Sequence, residues 1–131
     1  MEALERAGDI ELSLVAEVDG RPVGHLLFSR MTAPFGALAL APLSVAPEHQ
    51  GRGIGSALVR EGLDRAARAG RDGVFVLGDP GYYERFGFRA ALAAGFSSPY
   101  AGEHFMALAL AGTLPTRSGT LAHAPAFAAL G

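Results

Sequence analysis

The sequence contains no cysteine, no lysine and no tryptophan. Without cysteine the chain forms no disulfide, has no thiolate nucleophile and cannot hold zinc through sulfur. Its basic residues are all arginine, and eleven of them against thirteen acidic residues give a net charge of −2. That balance disfavours a broad basic surface for nucleic acid or anionic lipid. Long apolar runs are also missing, because stretches such as 37–45 are far shorter than the roughly 20 residues of a membrane-spanning helix.

The composition is that of a small folded protein. Half of the 131 residues are hydrophobic and 18% are charged, which permits a packed core. A mass of 13.5 kDa fits one domain over 1–131. Residues 1–8 include Glu2, Glu5 and Arg6 and lack the apolar run of a secretory signal. We therefore expect a cytoplasmic protein with neither a membrane nor a nucleic-acid partner.

Hydrophobic spacing predicts several strands and one long helix. Residues 10–18 alternate apolar and polar side chains, as a half-buried strand does, and Asp19-Gly20 favours a hairpin into a strand at 23–28. Apolar residues recur at helical spacing over 55–70. Further expectations are a strand at 37–45 made irregular by Pro42, strands at 74–77 and 105–110, a helical turn at 82–86 and an extended segment from Phe88. The fold class is α+β (α/β).

A glycine-rich loop separates the third strand from the helix. Its residues are Gln50, Gly51, Arg52, Gly53, Ile54, Gly55 and Ser56. Glycines let the backbone approach a bound group closely, and the free amides and dipole of a helix start favour an anion such as pyrophosphate. The alternative is a loop whose glycines serve only its own turns. A Walker lysine is absent, and the glycines do not follow a first strand as in a Rossmann fingerprint.

Two segments of the chain carry recognisable motifs. The first is Val45-Ala46-Pro47, followed by Gln50, Gly53 and Gly55; the second is Tyr83-Glu84-Arg85-Phe86-Gly87-Phe88. Together they resemble the acetyl-CoA signature and the Tyr-x-x-x-Gly-Phe element of the GNAT superfamily of N-acetyltransferases, over about 11–110. The resemblance implies a mixed, mostly antiparallel twisted sheet with flanking helices. It also implies transfer of an acetyl group from acetyl-CoA to a primary amine of a small molecule or polypeptide, without a metal.

The resemblance assigns ten cofactor-binding residues, which are 43–45 and 50–56, with Gln50 as the first residue of the signature. The backbone of Leu43, Ser44 and Val45 would hydrogen-bond the pantetheine arm of acetyl-CoA. The amides of 51–56 would hold its pyrophosphate, which agrees with the anion expected at the helix start. Arg52 would add positive charge there, although a solvated arginine is an equal alternative.

The resemblance assigns one catalytic residue, Tyr83. A phenol with a pKa of about 10 can protonate the leaving thiolate at neutral pH. The alternative for Tyr83 is a core aromatic beside Phe86 and Phe88, and Tyr82 is expected to pack.

A general base is not evident. The run 41–44 offers no carboxylate, and Asp79 suits a turn better than a base. The four histidines are scattered without zinc-type spacing: His25, His49, His104 and His123.

The short start leaves other functions open. Only 1–9 precede the first strand, so that strand is expected to be an exposed sheet edge. An alanine-rich tail over Thr113 to Gly131 could cover a neighbouring chain, and we expect a homodimer; the alternative is that the tail folds back over its own sheet and leaves a monomer. The alternative functions are a CoA-binding module without turnover and a nucleotide-phosphate binder.

Overall fold

Seven strands and three α-helices make up the part of the chain that the structure describes. The computed structural model describes residues 10–31, 33–97, 102, 104–116 and 118–121. The strands are β1 (Ile10–Val18), β2 (Arg21–Met31), β3 (Ala37–Val45), β4 (Gly73–Leu77), β5 (Phe96–Ser97), β6 (Phe105–Ala109) and β7 (Gly119–Thr120), and the helices are α1 (Ile54–Arg68), α2 (Pro80–Tyr83) and α3 (Ala90–Ala93). No helix in these ranges is long and apolar enough to cross a membrane.

Five strands form the central sheet in the order β1-β2-β3-β4-β6. Within this sheet the β3–β4 pair is parallel and the other three pairs are antiparallel, so the predicted mixed, mostly antiparallel sheet is confirmed. The extended segment predicted from Phe88 is short: Arg89 has an extended backbone and makes a single antiparallel bridge to Ala107, and α3 begins directly after it. The segment Ala90–Ala93 consists of alanine and leucine, the strongest helix formers.

Helix α1 packs its apolar side across one face of the sheet. Leu58, Val59 and Ala66 are buried in a cluster with Leu26 and Phe28 of β2. On the outer side of α1, the acidic-then-basic pairs that the spacing indicates are formed, Glu61 with Arg65 and Asp64 with Arg68. The helix ends before Gly70, whose φ of 82° is the left-handed conformation that terminates helices. This packing fixes where α1 begins relative to β3.

A bulge in β3 changes which side chains face α1. Leu26 of β2 is opposite Leu43, whereas Phe28, two residues on, is opposite Leu40, so β3 has one extra residue between them. The extra residue falls at 41–42, where the sequence predicts an irregularity because Pro42 lacks a ladder donor. Beyond the bulge, Leu43 and Val45 lie on the α1 side of the sheet.

The opposite face of the sheet carries a second apolar cluster. Phe75 packs edge-on against Phe96 at a centroid distance of 5.4 Å, and Phe105 stacks on Phe75 at 5.5 Å. Leu121, beyond β7, is buried in the same cluster. The expectation that the tail from Thr113 covers a neighbour is therefore wrong for its described part, because its apolar residues find a partner within their own chain. Residues 122–131, including His123, lie outside the described residues.

Strand β1 is an edge of the sheet that the described residues form. Val15 on this strand is 54% exposed, on the face of β1 opposite the one that carries Leu14. Residues 1–9 lie outside the described residues, and the homodimer stays a prediction.

Replacing Gly62 of α1 by alanine tests how tightly α1 sits on β2. A Cβ atom at Gly62 would lie 2.8 Å from Cδ2 of Leu26 and 3.0 Å from Cζ of Phe28. Alanine gains about 1 kcal/mol of helix propensity, but overpacking costs about 1–3 kcal/mol. We expect a net loss of unfolding free energy of about 1 kcal/mol in urea denaturation. The loss of unfolding free energy caused by Gly62→Ala should be smaller when it is measured in a Leu26→Val background, which lacks the clashing methyl group. A stabilised Gly62→Ala variant would contradict this packing.

Candidate functional site

A cavity of about 430 Å³ lies between the end of β3, the start of α1 and the segment that follows α2. Its lining contains eight of the ten residues predicted to bind the cofactor: Leu43, Val45, Gln50, Gly51, Gly53, Ile54, Gly55 and Ser56. The side chains of Ser44 and Arg52 are exposed, and neither residue lines it. Three lining residues were not assigned to the cofactor from the sequence, namely His49, Tyr82 and Arg85.

Strands β3 and β4 diverge beside this cavity. Their parallel pairing runs from Ala37 opposite Gly73 to Leu40 opposite Val76 and stops there. Strand β3 continues to Val45, held on its other side by β2. The edge of 41–45 that faces β4 therefore has no strand partner among the described residues, and its backbone groups are available to an extended ligand.

The backbone direction at this open edge alternates residue by residue. The amide of Ala46 donates to the carbonyl of Val23 on β2 at 2.7 Å, and Nε2 of Gln50 donates to the carbonyl of Val45 at 3.0 Å. Val45 and Leu43 therefore direct their backbone groups away from β2, toward the gap. The backbone of Ser44 points back to β2, so Ser44 does not belong to the open set as the resemblance implied. The Gln50 side chain lies on the same side, where it lines the cavity and satisfies the carbonyl of Val45.

The glycine-rich loop ends at an uncapped helix start. Gly51 and Gly53 have φ values of 79° and 81°, a left-handed conformation that strains other residues. Gly53 is the N-cap of α1 and contributes no side-chain cap, and the first intrahelical bond recorded there runs from Ala57 N to Gly53 O. The amides before Ala57 have no acceptor within the helix, and the dipole adds positive potential. This end of the cavity therefore suits an anion.

Tyr82 closes the cavity from the opposite wall. Its hydroxyl lies 3.5 Å from Oγ of Ser56 at the start of α1. A Cβ atom at Gly55 would lie 2.9 Å from the same hydroxyl. Tyr82 packs as expected, edge-on against Tyr83 at 5.0 Å and Phe86 at 5.4 Å, and in addition it lines the cavity, which the sequence did not predict.

Tyr83 points elsewhere, to the end of β4. A Cβ atom at Gly78 would lie 2.7 Å from Cε2 of Tyr83, and the ring packs edge-on against Phe88 at 5.8 Å. Burial is the main cause that raises the pKa of Tyr83 to about 12, and the electrostatic effect of the neighbouring Tyr82 adds to it. The hydroxyl therefore stays protonated at neutral pH. The aromatic packing is observed, and the catalytic role stays a prediction.

Three of the remaining titratable candidates have hydrogen-bond partners, whereas Nδ1 of His49, which lines the cavity, is buried without one among the described residues. Oδ1 of Asp79 accepts from the amide of Gly81 at 3.0 Å and caps α2, which confirms its role in the turn. His25 bonds with Ser13, away from the cavity. Nδ1 of His104 donates to the carbonyl of Gly78 at 3.2 Å. Among the described residues no carboxylate lines the cavity, and no group of three potential ligands could hold a metal ion.

The comparison with known families gives a direct assignment. The acetyltransferase (GNAT) domain family matches residues 9–90. The chain belongs to the GNAT family. The matched range includes β1 to β4, the glycine-rich loop, α1 and both tyrosines, so every wall of the cavity lies inside it.

Relatives of this chain include N-acetyltransferases from Escherichia coli. It is 43% identical over 96 residues to the uncharacterized N-acetyltransferase YjhQ, covering 68% of this chain and 52% of the relative. It is 39% identical over 92 residues to YhbS, covering 67% and 55%. The chain thus spans about half the length of these curated relatives.

Two solved structures are similar across nearly the whole chain. Crystalline YhbS in complex with CoA superimposes with a TM-score of 0.87 at 31% identity, over 99% of this chain and 76% of that one. A GNAT acetyltransferase from Brucella melitensis in complex with acetyl-CoA gives 0.78 at 40% identity, over 96% and 74%. The first of these neighbours holds CoA and the second holds acetyl-CoA.

Replacing Gly53 by alanine tests the cavity, with Gly70→Ala as a matched control. Both glycines have φ near 80° with nothing within 4 Å of a Cβ position, so each variant should lose about 1–2 kcal/mol of stability. Only Gly53 lines the cavity, and its new methyl group would occupy the space of a bound phosphate. Calorimetric titration with CoA should show at least tenfold weaker binding for Gly53→Ala and unchanged binding for Gly70→Ala. Equal CoA affinities in the two variants would contradict the site.

Proposed function

We propose that the protein transfers an acetyl group from acetyl-CoA to a primary amine. The observation that carries this proposal is the open edge of β3 beside an uncapped helix start. One feature offers hydrogen-bonding backbone to an extended arm of amides, and the other offers amides and a positive dipole to a diphosphate. Acetyl-CoA has both parts joined in one molecule, whereas a nucleotide without pantetheine uses only the second. Dependence on acetyl-CoA places the proposed activity in the cytoplasm.

In the proposed binding mode the pantetheine arm extends β3 as a short additional strand. The amides of Leu43 and Val45 and the carbonyl of Leu43 are its partners. The thioester then lies where β3 and β4 separate, between Leu43 and the end of β4 at Gly78. The amide donors at this edge polarise the thioester carbonyl and stabilise the oxyanion that forms on it.

The proposed reaction is direct attack. The neutral amine nitrogen forms a bond to the thioester carbonyl carbon, and the tetrahedral intermediate collapses with cleavage of the carbon–sulfur bond. The nitrogen loses its proton to water, the departing sulfur takes a proton from the hydroxyl of Tyr83, and water returns a proton to the Tyr83 phenolate before the next turnover. A pKa of about 12 for Tyr83 makes it a hydrogen-bond donor throughout the neutral range, so its ionisation does not limit the rate below about pH 10.

The competing function is a CoA-binding module without turnover. The observation that favours it is the lack of a carboxylate among the described lining residues, because an amine arrives largely protonated at neutral pH. The two functions differ in thiol release. Incubation with acetyl-CoA and an amine library should release thiol above the rate of hydrolysis; binding of CoA without thiol release would support the module.

Replacing Tyr83 by phenylalanine tests the proposed acid. The ring contacts with Gly78 and Phe88 stay, and only the hydroxyl is lost, so CoA affinity and melting temperature should change little. Loss of general-acid assistance typically lowers a rate by about 10²–10⁴-fold, and thiol release should fall by that order. Wild-type turnover in Tyr83→Phe would show that Tyr83 only packs.

A further inference from the structure

The cavity contains an arginine that the sequence motifs do not single out. Arg85 lines the wall opposite the glycine-rich loop, whereas Arg52, which stands within the loop, does not contribute to the lining. Among the described lining residues Arg85 is the one with a permanent positive charge. An anionic ligand in this cavity therefore meets helix amides on one side and Arg85 on the other.

The guanidinium of Arg85 is held in place by Tyr82. Its central carbon lies 4.6 Å from the centroid of the Tyr82 ring, and its Nε donates to the carbonyl of Tyr82 at 2.9 Å. This bond uses one of the five N–H donors of the group, and the two terminal nitrogens carry the other four. Stacking on an aromatic face reduces the conformational entropy that an arginine loses when it binds an anion.

The same tyrosine connects Arg85 to the start of α1. The Tyr82 hydroxyl lies 3.5 Å from Oγ of Ser56, while its ring carries the guanidinium. The absence of a side chain at Gly55 is what admits this hydroxyl, since a Cβ there would lie 2.9 Å from it. Tyr82 therefore spans the distance between the amides of the first helical turn and the arginine.

We propose that Arg85, stacked on Tyr82, pairs with the diphosphate of coenzyme A across the cavity from the helix start. This inference rests on the proposed use of acetyl-CoA. It assigns Arg85 and Tyr82 a cofactor-binding role, and it gives Arg52 a smaller part in that role. The diphosphate would then be bound by the amides at the start of α1 on one side and by the Arg85 guanidinium on the other. A planar guanidinium can donate two parallel hydrogen bonds to phosphate oxygens.

The test compares three arginine variants by calorimetric titration with CoA. Arg85→Gln should weaken binding by about tenfold or more at low salt, because a charge-assisted hydrogen bond is lost, and the difference should shrink at high salt. Arg52→Gln tests the loop arginine and should lower the affinity less than Arg85→Gln does. Arg60→Gln is the matched control, because the Arg60 guanidinium lies 5.2 Å from the Phe86 ring but does not line the cavity. This control should bind CoA within twofold of the wild type.

Two further measurements distinguish the loss of a contact with the diphosphate from a general disturbance of the cavity. Dephospho-CoA keeps the diphosphate and lacks only the ribose phosphate, so Arg85→Gln should weaken its binding by the same factor. Tyr82→Phe keeps the stacking ring and should bind CoA more tightly than Tyr82→Leu, which removes it. Unchanged CoA affinity in Arg85→Gln, or a loss confined to CoA and absent with dephospho-CoA, overturns the assignment to the diphosphate.

The outcome for the wild type separates this inference from the proposed function. A wild-type protein that does not bind CoA overturns both. A wild-type protein that binds CoA and releases thiol, with Arg85→Gln equal to it in affinity, overturns only the role of Arg85.

Discussion

The separation of β3 from β4 is the constraint on which the cavity depends. The two strands pair over four residues and then part, while β2 keeps β3 extended to Val45. A strand held on one side only presents a row of backbone donors and acceptors that water or a ligand must satisfy. The bulge at 41–42 adds a second effect, because it turns the Leu43 and Val45 side chains toward α1. Their apolar side chains then line the cavity beside the backbone groups that would bind the pantetheine arm.

The position of α1 complements this open edge. Its apolar side is fixed on β2 through the close approach at Gly62, and this packing brings the uncapped helix start to the end of β3. The rings of the adjacent tyrosines of α2 are nearly perpendicular, at 89°, and contact different parts of the molecule. Tyr82 lies against the helix start and stacks on Arg85, whereas Tyr83 lies against Gly78, just beyond the end of β4. One short helix thus contributes a residue to the proposed phosphate end and another to the proposed thioester end of the cavity.

Local sequence signals predicted most of the fold and eight of the residues that line the cavity. Alternation over 10–18 and helical spacing over 55–70 depend on which side chains face a core, and both elements formed as expected. The glycine-rich loop is equally local, because Gly51 and Gly53 are needed for its backbone conformation. The extended segment from Phe88 stops after Arg89, since the run of alanine and leucine that follows is apolar enough for a strand but prefers a helix.

Features that depend on three-dimensional neighbours could not be predicted from the sequence. Tyr82 and Tyr83 are adjacent and chemically identical, and only the direction of the α2 turn decides which one enters the cavity. Arg85 lies more than thirty positions from Arg52 in the chain, so nothing local marks it as the residue on the opposite wall. Whether the backbone of Ser44 faces β2 or the gap depends on where the bulge in β3 lies. Moving the bulge by one residue would reverse that direction, and nothing in the amino-acid composition of the strand fixes its position.

Amide hydrogen exchange at the end of β3 tests the central claim most directly. In the free protein the amides of Leu43 and Val45 face the gap and should exchange quickly, whereas the amide of Ser44 faces β2 and should be protected. Saturation with CoA should slow the exchange of Leu43 and Val45 and leave Ser44 nearly unchanged. Saturating CoA with no added protection at Leu43 and Val45 would show that the coenzyme does not use the open edge of β3, and it would contradict the account.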